Sequence, residues 1–202
     1  FTFERCEYYI SKISIVHDGG KISNATGVYE LIKATSNTSI DLGSYAITQV
    51  EAINFSIGVE PANNNGDPTK WPRNHALAPK SPSMHWGWTS GYRFIALEGK
   101  SSTSLNQTLE LHGLGDVNYF ETTVLTSGLL NAGEFQINVN ADYSRGLENI
   151  NISSGLIVHA ENQQAAQMVA NFKNYVFSGG NSSNGLAEES SDNISIYPVP
   201  SY

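Results

Sequence analysis

Apolar and polar residues alternate with a period of two over several stretches of the 202-residue chain. The clearest stretch is EYYISKISIV at residues 7–16, which is followed by the turn sequence HDGGK. Because successive side chains of a β-strand point to opposite faces, this alternation predicts a strand with one buried face. The same pattern predicts strands at residues 27–34, 44–60, 86–98, 107–112, 118–125 and 133–140. Short strands joined by Gly- and Asn-containing turns predict an all-β fold, an antiparallel β-sandwich of the immunoglobulin-like or a related type.

One segment departs from this pattern near the C-terminus. In NQQAAQMVANFKNYVF, residues 162–177, apolar side chains recur at helical spacing, and polar residues lie between them. We therefore predict one short C-terminal helix that covers an end of the sheets. The next residues, 178–192, are small, polar and acidic, which is typical of a flexible linker. The prediction is a β-sandwich domain at residues 1–177 and a linker at 178–192.

The charge balance excludes several classes of partner. The chain has 19 acidic and 11 basic residues and a net charge of -8, so it lacks the basic surface that binds nucleic acid or anionic membranes. No apolar run approaches the roughly 20 residues needed to cross a bilayer. The first residues, FTFERCEYY, are not a basic and apolar leader. We expect no nucleic-acid partner and no transmembrane segment, and we expect that any export signal has been removed.

Proline marks the longest irregular stretch. Residues 61–83 hold five of the seven prolines, and proline cannot donate a backbone hydrogen bond, so we predict a long surface loop. Within it Asn63, Asn65 and Asp67 offer oxygen ligands beside a glycine. They suggest either a calcium loop or a plain polar turn.

The segment MHWGWTSGY at residues 84–92 directly follows this loop. If it is extended, Met84, Trp86 and Trp88 project to one face and His85 projects to the other. A thioether and two indoles would then form one wall of a pocket. The alternative is a cluster in which these side chains only pack against one another and the loop.

Histidines near this wall are the candidate metal ligands. His75 lies in the loop, and His112 ends the segment QTLELH, in which Leu109 and Leu111 take the core face. Neutral imidazoles beside a thioether suit Cu(I), and Zn(II) also uses imidazole. The predicted ligands are therefore Met84, His75, His85 and His112. No HExxH or CxxC motif marks a metal site, and no GxSxG elbow supports a serine hydrolase. A glycosidase would need two carboxylates that meet across a sheet, for which Glu51, Glu98, Glu110 and Asp116 are the candidates. The prediction is a protein that is not an enzyme.

The string MHWGWTSGYRFIALEG, residues 84–99, resembles the W-x-W-x-x-G-Y…F…L-E-G signature of the MbnP-like family of exported bacterial proteins. EYYISKISIVHDGG, INFSIGVE and LELHGLG resemble further segments of that family, so the resemblance extends over residues 1–177. It implies a β-sandwich-like domain outside the cytoplasm that binds copper through histidines. In some members a separate di-haem peroxidase-like partner oxidises a tryptophan to kynurenine. Trp86 and Trp88 both match the signature, and His112 matches the histidine–glycine position, whereas His75 and His85 have no match.

A second resemblance lies at the end of the chain. NISIYPVPS, residues 193–201, is similar to the start of the sorting tail used by the type IX secretion system of Bacteroidetes, typically ISIYPNPS. Val199 stands where that tail usually has asparagine. The resemblance implies a truncated sorting tail at residues 193–202 and export by the type IX machinery. The protein would then be secreted or held on the outer surface of a Gram-negative cell.

Two functions follow from these observations. The first is an exported, non-enzymatic metal-binding protein, with copper as the metal and the site near the W-x-W segment. The alternative is a cell-surface interaction or carbohydrate-binding module, in which Trp71, Trp86 and Trp88 supply a flat aromatic platform. The position of the histidines relative to the tryptophans distinguishes the two.

Overall fold

The computed structural model describes residues 1–131, 133–180 and 192–200 and shows a mostly β protein. In this part of the chain the strands are β1 (Thr2–His17), β2 (Lys21–Lys33), β3 (Ile40–Tyr45), β4 (Val50–Ile57), β5 (Ile95–Ser101), β6 (Gln107–Gly113), β7 (Phe120–Leu125), β8 (Leu129–Asn131), β9 (Glu134–Ala141), β10 (Leu156–Ala160), β11 (Phe177–Gly179) and β12 (Asp192–Pro200). The alternating stretches therefore form strands, apart from residues 86–94. The alternation did not predict β3, β8, β10, β11 or β12.

The long first strand organises the larger sheet, in which the strand order is β10-β6-β5-β1-β4-β7 and β2 also pairs with β1. One edge of β1 pairs with β2, and its other edge pairs first with β5 and then with β4. The partner of β1 changes from β5 to β4 at Tyr9. The Tyr9 N–H donates to the Phe94 carbonyl, and the Tyr9 carbonyl accepts from the Gly58 N–H. A β-bulge follows at Lys12, which has a φ of 50°. The strand thus joins the two halves of the sheet.

The prediction of a purely antiparallel sheet is wrong, because β10 lies parallel to β6. Parallel partners need a long crossover, and here the chain passes through β7, β8 and β9 before it reaches β10. Gly- and Asn-containing turns indicate only antiparallel strands that follow each other in the sequence. They therefore could not indicate the parallel pair of β6 and β10. The smaller sheet, which contains β3, β8, β9, β11 and β12, is also mixed, since β12 lies parallel to β9. The immunoglobulin-like topology stays a prediction.

One buried cluster contains side chains from both sheets. It includes Ile15 of β1, Leu109 and Leu111 of β6, and Ile137 of β9. In β6 the two leucines take the core face, as the alternation of QTLELH predicts, and the residues between them face the other way. These apolar side chains of β1, β6 and β9 are therefore buried between the sheets.

The predicted C-terminal helix is confirmed. It is α2 (Gln163–Asn171), which continues into a π-helical turn at Phe172–Val176. Its buried side chains Met168 and Val169 belong to the core cluster. A short additional helix, α1 (Pro61–Asn64), lies at the start of the proline-rich loop. Within the described residues no helix has the length and apolar character needed to span a membrane.

The strand predicted at residues 86–98 begins later, at Ile95. Before it, the Trp86 N–H donates to the Gly91 carbonyl at 2.8 Å and the chain makes a tight turn. Gly87 and Gly91 have φ values of 92° and 69°, which glycine adopts without steric cost. Met84 and Tyr92 flank the turn and pack with Tyr9 and Phe94 in a second buried cluster. The loop is thereby held against the face of the sheet opposite the core.

The boundaries predicted for the linker and the sorting tail stay predictions. Residues 181–191, which form most of the proposed linker, and residues 201–202 lie outside the described part of the chain. The backbone of β12, within the proposed tail, pairs with β3 and β9.

The contact of α2 with the end of β6 yields a test of the packing. A Cβ added at Gly113 would lie 2.3 Å from Val169 Cγ2, so Gly113→Ala forces the helix away from the strand. We expect a loss of about 1–3 kcal/mol in the free energy of unfolding, measured with urea. Val169→Ala removes the obstructing methyl groups, so the double variant should lose less than the sum of the single losses. Simple additivity would contradict this contact.

Candidate metal centre

A row of polar side chains lies on the face of the larger sheet opposite the core. Strand register explains it: Arg5 is opposite Glu98, Glu98 is opposite Glu110, and His112 is beside His159. These positions alternate with core residues such as Leu97 and Leu111. Four neighbouring strands therefore present Arg5, Glu98, Glu110, His112 and His159 on one surface.

His112 and His159 form a stacked pair. Their ring centroids are 4.2 Å apart and their planes differ by 15°. The parallel pairing of β6 and β10 places the two residues at the same level, so their side chains lie side by side. His112 is 2% exposed, so its ring is almost completely removed from water.

Glu110 completes a cluster of donors. It, His112 and His159 each offer one ligand atom, and these atoms lie within 4.8 Å of one another. Glu110 Oε1 is 2.8 Å from His159 Nε2 but is not aligned for a hydrogen bond. His112 Nδ1 and His159 Nε2 are buried and have no hydrogen-bond partner among the described residues. His112 Nε2 lies 3.7 Å from the same Glu110 oxygen. Two imidazoles and a carboxylate thus lie close enough together to bind one cation, and zinc and copper use such a donor set.

A layer of ion pairs supports His112. Its Nε2 lies 2.8 Å from Glu98 Oε1, and the same oxygen accepts from Arg5 Nη1 at 2.7 Å. Arg5 also donates to Glu7 Oε2 at 2.8 Å and to the Met84 sulfur at 3.1 Å. The thioether predicted as a ligand is therefore beside the cluster, with its sulfur facing a guanidinium.

Trp86 lies against the histidine pair. Its ring makes edge contacts with His159 at 4.8 Å and with His112 at 5.8 Å between centroids. The Arg93 guanidinium lies 4.7 Å from the Trp86 ring centroid, and the indole is 38% exposed. Trp88 is 62% exposed and contacts His85 instead. The two signature tryptophans therefore occupy different surroundings, and Trp86 is the one beside the donors.

The structure places the other predicted histidines in separate contacts. His75 stacks on Trp71, with a centroid distance of 4.1 Å, and its Nδ1 accepts from the Leu77 N–H. His85 packs against the edge of Tyr92 at 4.8 Å. Of His75, His85 and His112, only His112 belongs to the donor cluster that the described residues form. A ligand role for the other two stays a prediction.

The side chains of the proposed calcium loop make contacts within the protein. Asn63 Nδ2 donates to Glu60 at 2.7 Å, and Asn65 Nδ2 donates to the Trp88 carbonyl at 2.8 Å. Asp67 Oδ1 accepts from the Thr69 N–H at 2.9 Å and caps a turn of 3-10 helix. These bonds account for the shape of the loop, and calcium binding there stays a prediction.

Sequence reasoning missed His159 and gave Glu110 no ligand role, although a signal for both was present. LELHG at residues 109–113 and LIVHA at residues 156–160 share a leucine, a second aliphatic residue, a histidine and a small residue at the same spacing. These two segments are the ones that pair in parallel, with Leu109 beside Leu156 and His112 beside His159. The shared spacing of leucine and histidine is the sequence signal that links the two segments.

The surroundings of His112 predict its titration. Burial lowers its pKa to about 4, and the charges of Arg93 and His159 act in the same direction, while the hydrogen bond with Glu98 opposes them. The unfolded chain binds this proton near pH 6.5 and the folded chain only near pH 4, so the free energy of unfolding should fall as the pH drops through that window. Ring NMR titration of the metal-free protein should give a midpoint near pH 4, and His112→Gln should remove this part of the fall. A midpoint near 6.5 would contradict the burial.

Comparison with known proteins identifies the family. No curated protein matches this chain. Among solved structures, MbnP from Methylosinus trichosporium is similar, with 13% sequence identity and a TM-score of 0.47, and the alignment covers 79% of this chain and 71% of that one. The family model described as MbnP matches residues 1–168. Because that match spans most of the sequence, the chain belongs to the MbnP family.

Proposed function

We propose that this protein is an exported, non-enzymatic domain that binds copper between Glu110, His112 and His159. The observation that carries the proposal is the pair of buried imidazole nitrogens, His112 Nδ1 and His159 Nε2, that have no hydrogen-bond partner among the described residues. Buried polar atoms are normally paired, and a metal ion would satisfy both nitrogens. Membership of the MbnP family and the copper binding implied by the resemblance support copper as the metal. Export rests on the same resemblance and on the tail-like NISIYPVPS.

The donor set favours Cu(II) over Cu(I). Two imidazoles and a carboxylate are nitrogen and oxygen ligands, whereas Cu(I) prefers soft sulfur. The Met84 sulfur faces Arg5 and accepts a hydrogen bond from it, so the thioether is engaged elsewhere. The usual order of affinities also places Cu(II) above Zn(II) at such sites. When bound, the ion would be held by the two rings and the carboxylate, with Trp86 limiting the access of water.

Trp86 is the proposed signature tryptophan at the metal. Its edge contacts with both rings of the pair support this choice over Trp88. By resemblance to the MbnP-like family, a separate di-haem peroxidase-like partner would open this indole with dioxygen or peroxide as the oxidant. Hydrolysis would then release the lost carbon as formate and leave kynurenine. The 38% exposure of Trp86 leaves part of its ring accessible. Peptide mass analysis of natively exported protein should find the net change of one carbon lost and one oxygen gained at Trp86, whereas the change at Trp88 alone would refute the choice.

The metal site is tested by titrating the purified metal-free protein with Cu(II) and, separately, with Zn(II). We expect one ion per chain and tighter binding of Cu(II). His159→Ala and His112→Ala should each weaken Cu(II) binding by more than about 100-fold, because loss of an outer-shell partner alone costs about 10–100-fold. Calorimetry or competition with a chromophoric chelator measures this change.

His75→Ala is the matched control, since it also removes one imidazole but lies outside the donor cluster. It should leave stoichiometry and affinity unchanged. Loss of binding in His75→Ala, with His159→Ala unaffected, would transfer the site to the loop. A wild-type protein that binds neither ion would refute the metal site.

The exposure of Trp88 supports a second candidate function, a cell-surface interaction or carbohydrate-binding module. An indole that is 62% exposed is the kind of side chain on which a sugar ring stacks. The predicted flat platform of three tryptophans receives little support, because Trp71 stacks on His75 and Trp86 contacts the histidine pair. Glycan-array binding that Trp88→Ala abolishes, in a protein that takes up no metal, would favour this candidate.

A further inference from the structure

We propose that Arg5 and Glu98 are a positioning pair that holds the His112 ring in one tautomer, with the proton on Nε2 and the lone pair of Nδ1 free. This inference rests on the proposed function, because it names the nitrogen of His112 that would meet the metal. It concerns residues on β1 and β5, which would not themselves touch the ion.

The position of Arg5 is set on several sides. Its Nη1 donates to Glu98 Oε1 at 2.7 Å, and its Nε and Nη2 donate to Glu7 Oε2 at 3.1 and 2.8 Å. Its side chain is 12% exposed, so water competes little for these donors. Arg5 and Glu98 are also register partners in neighbouring strands. The pair is therefore built into the sheet and does not depend on a loop.

The local charges keep Glu98 ionised. Glu98 Oε1 accepts from Arg5 Nη1 at 2.7 Å, so the carboxylate is paired with a guanidinium that always carries its charge. Glu7 shares the guanidinium and also lies 3.4 Å from Lys33 Nζ, so it is not left as an unpaired negative group. An ionised carboxylate only accepts hydrogen bonds.

The tautomer of His112 follows because the Glu98 carboxylate can only accept a hydrogen bond. Glu98 Oε1 is 2.8 Å from His112 Nε2, so that nitrogen must carry the proton that it donates. A neutral imidazole has one N–H, which leaves Nδ1 with its lone pair, and Nδ1 is the buried atom without a partner among the described residues. Metal-binding histidines commonly donate their other ring N–H to a carboxylate in this way. Binding through Nε2 would instead move the proton to Nδ1, where no described group accepts it.

Arg5 also connects this pair to the turn above it. The same Nη2 that bonds to Glu7 donates to the sulfur of the buried Met84 at 3.1 Å. Met84 comes two residues before Trp86, which contacts both rings of the histidine pair. One guanidinium thus sets the orientation of the carboxylate beneath His112 and contacts the segment that covers it.

Ring nitrogen-15 NMR of the metal-free, full-length protein tests the proposal directly. At neutral pH the wild-type His112 should show one tautomer, protonated at Nε2 and unprotonated at Nδ1. In Glu98→Gln the carboxamide either donates or accepts, so both tautomers should be populated. Affinity for Cu(II) should fall about 10–100-fold in the same variant. Glu121→Gln is the matched control, because Glu121 is exposed and pairs with Lys12 at 3.8 Å, and it should change neither readout.

A wild-type His112 that is protonated at Nδ1 would overturn the proposal, as would a Glu98→Gln protein with the wild-type tautomer. A purely structural role of Glu98 would lower stability without moving the tautomer. If Glu98→Gln fails to fold, two other spectra decide which tautomer His112 adopts and whether the pair holds it. One is the wild-type spectrum, and the other is that of Arg5→Lys, which keeps the cation but loses the planar fork. A protein that takes up no copper but shows the Nε2-protonated ring would refute the proposed function and leave the positioning pair standing.

Discussion

The candidate site depends on the parallel pairing of β6 with β10. In a parallel pair, residues at the same level lie side by side on one face, and this places His159 against His112. The same register puts Glu110 on that face, and its Oε1 is 2.8 Å from His159 Nε2. Packing of α2 against Gly113, the last residue of β6, closes the end of the pair. Without this pairing the two imidazoles would belong to separate parts of the chain.

Buried charge is the second constraint on this face. A guanidinium removed from water is costly unless it is paired, and Arg5 has Glu7 and Glu98 as partners in adjoining positions of β1 and β5. These ion pairs occupy the sheet face that carries the histidines, and the Met84 thioether and the W-x-W turn lie over them. The site is therefore a polar layer between a β-sheet and a loop, where a hydrogen bond to Glu98 and ring contacts with His159 and Trp86 together orient His112.

Alternation of apolar and polar residues predicted some segments correctly and others wrongly. The alternation of QTLELH correctly separates Leu109 and Leu111 in the core from His112 on the opposite face. The alternation of WGWTSGY was misleading, because the hydrogen bond from Trp86 to Gly91 and two glycines with positive φ make a turn. Apolar spacing alone does not distinguish a strand from a turn whose side chains pack on the sheet. The convergence of His75 and His85 with His112 could not be judged from spacing, since the path of the loop sets it.

The sequence by itself determined which residues of strands such as β1 and β6 share a face, because alternation is a local property of extended backbone. It also determined that residues 61–83 form no regular strand, because proline lacks the N–H that a sheet requires. Only the tertiary structure decided that His112 meets His159 and Trp86, while His75 stacks on Trp71 and Trp88 contacts His85. The physical reason is that the pairing of β6 with β10 joins distant segments through backbone hydrogen bonds, which any pair of side chains can accompany.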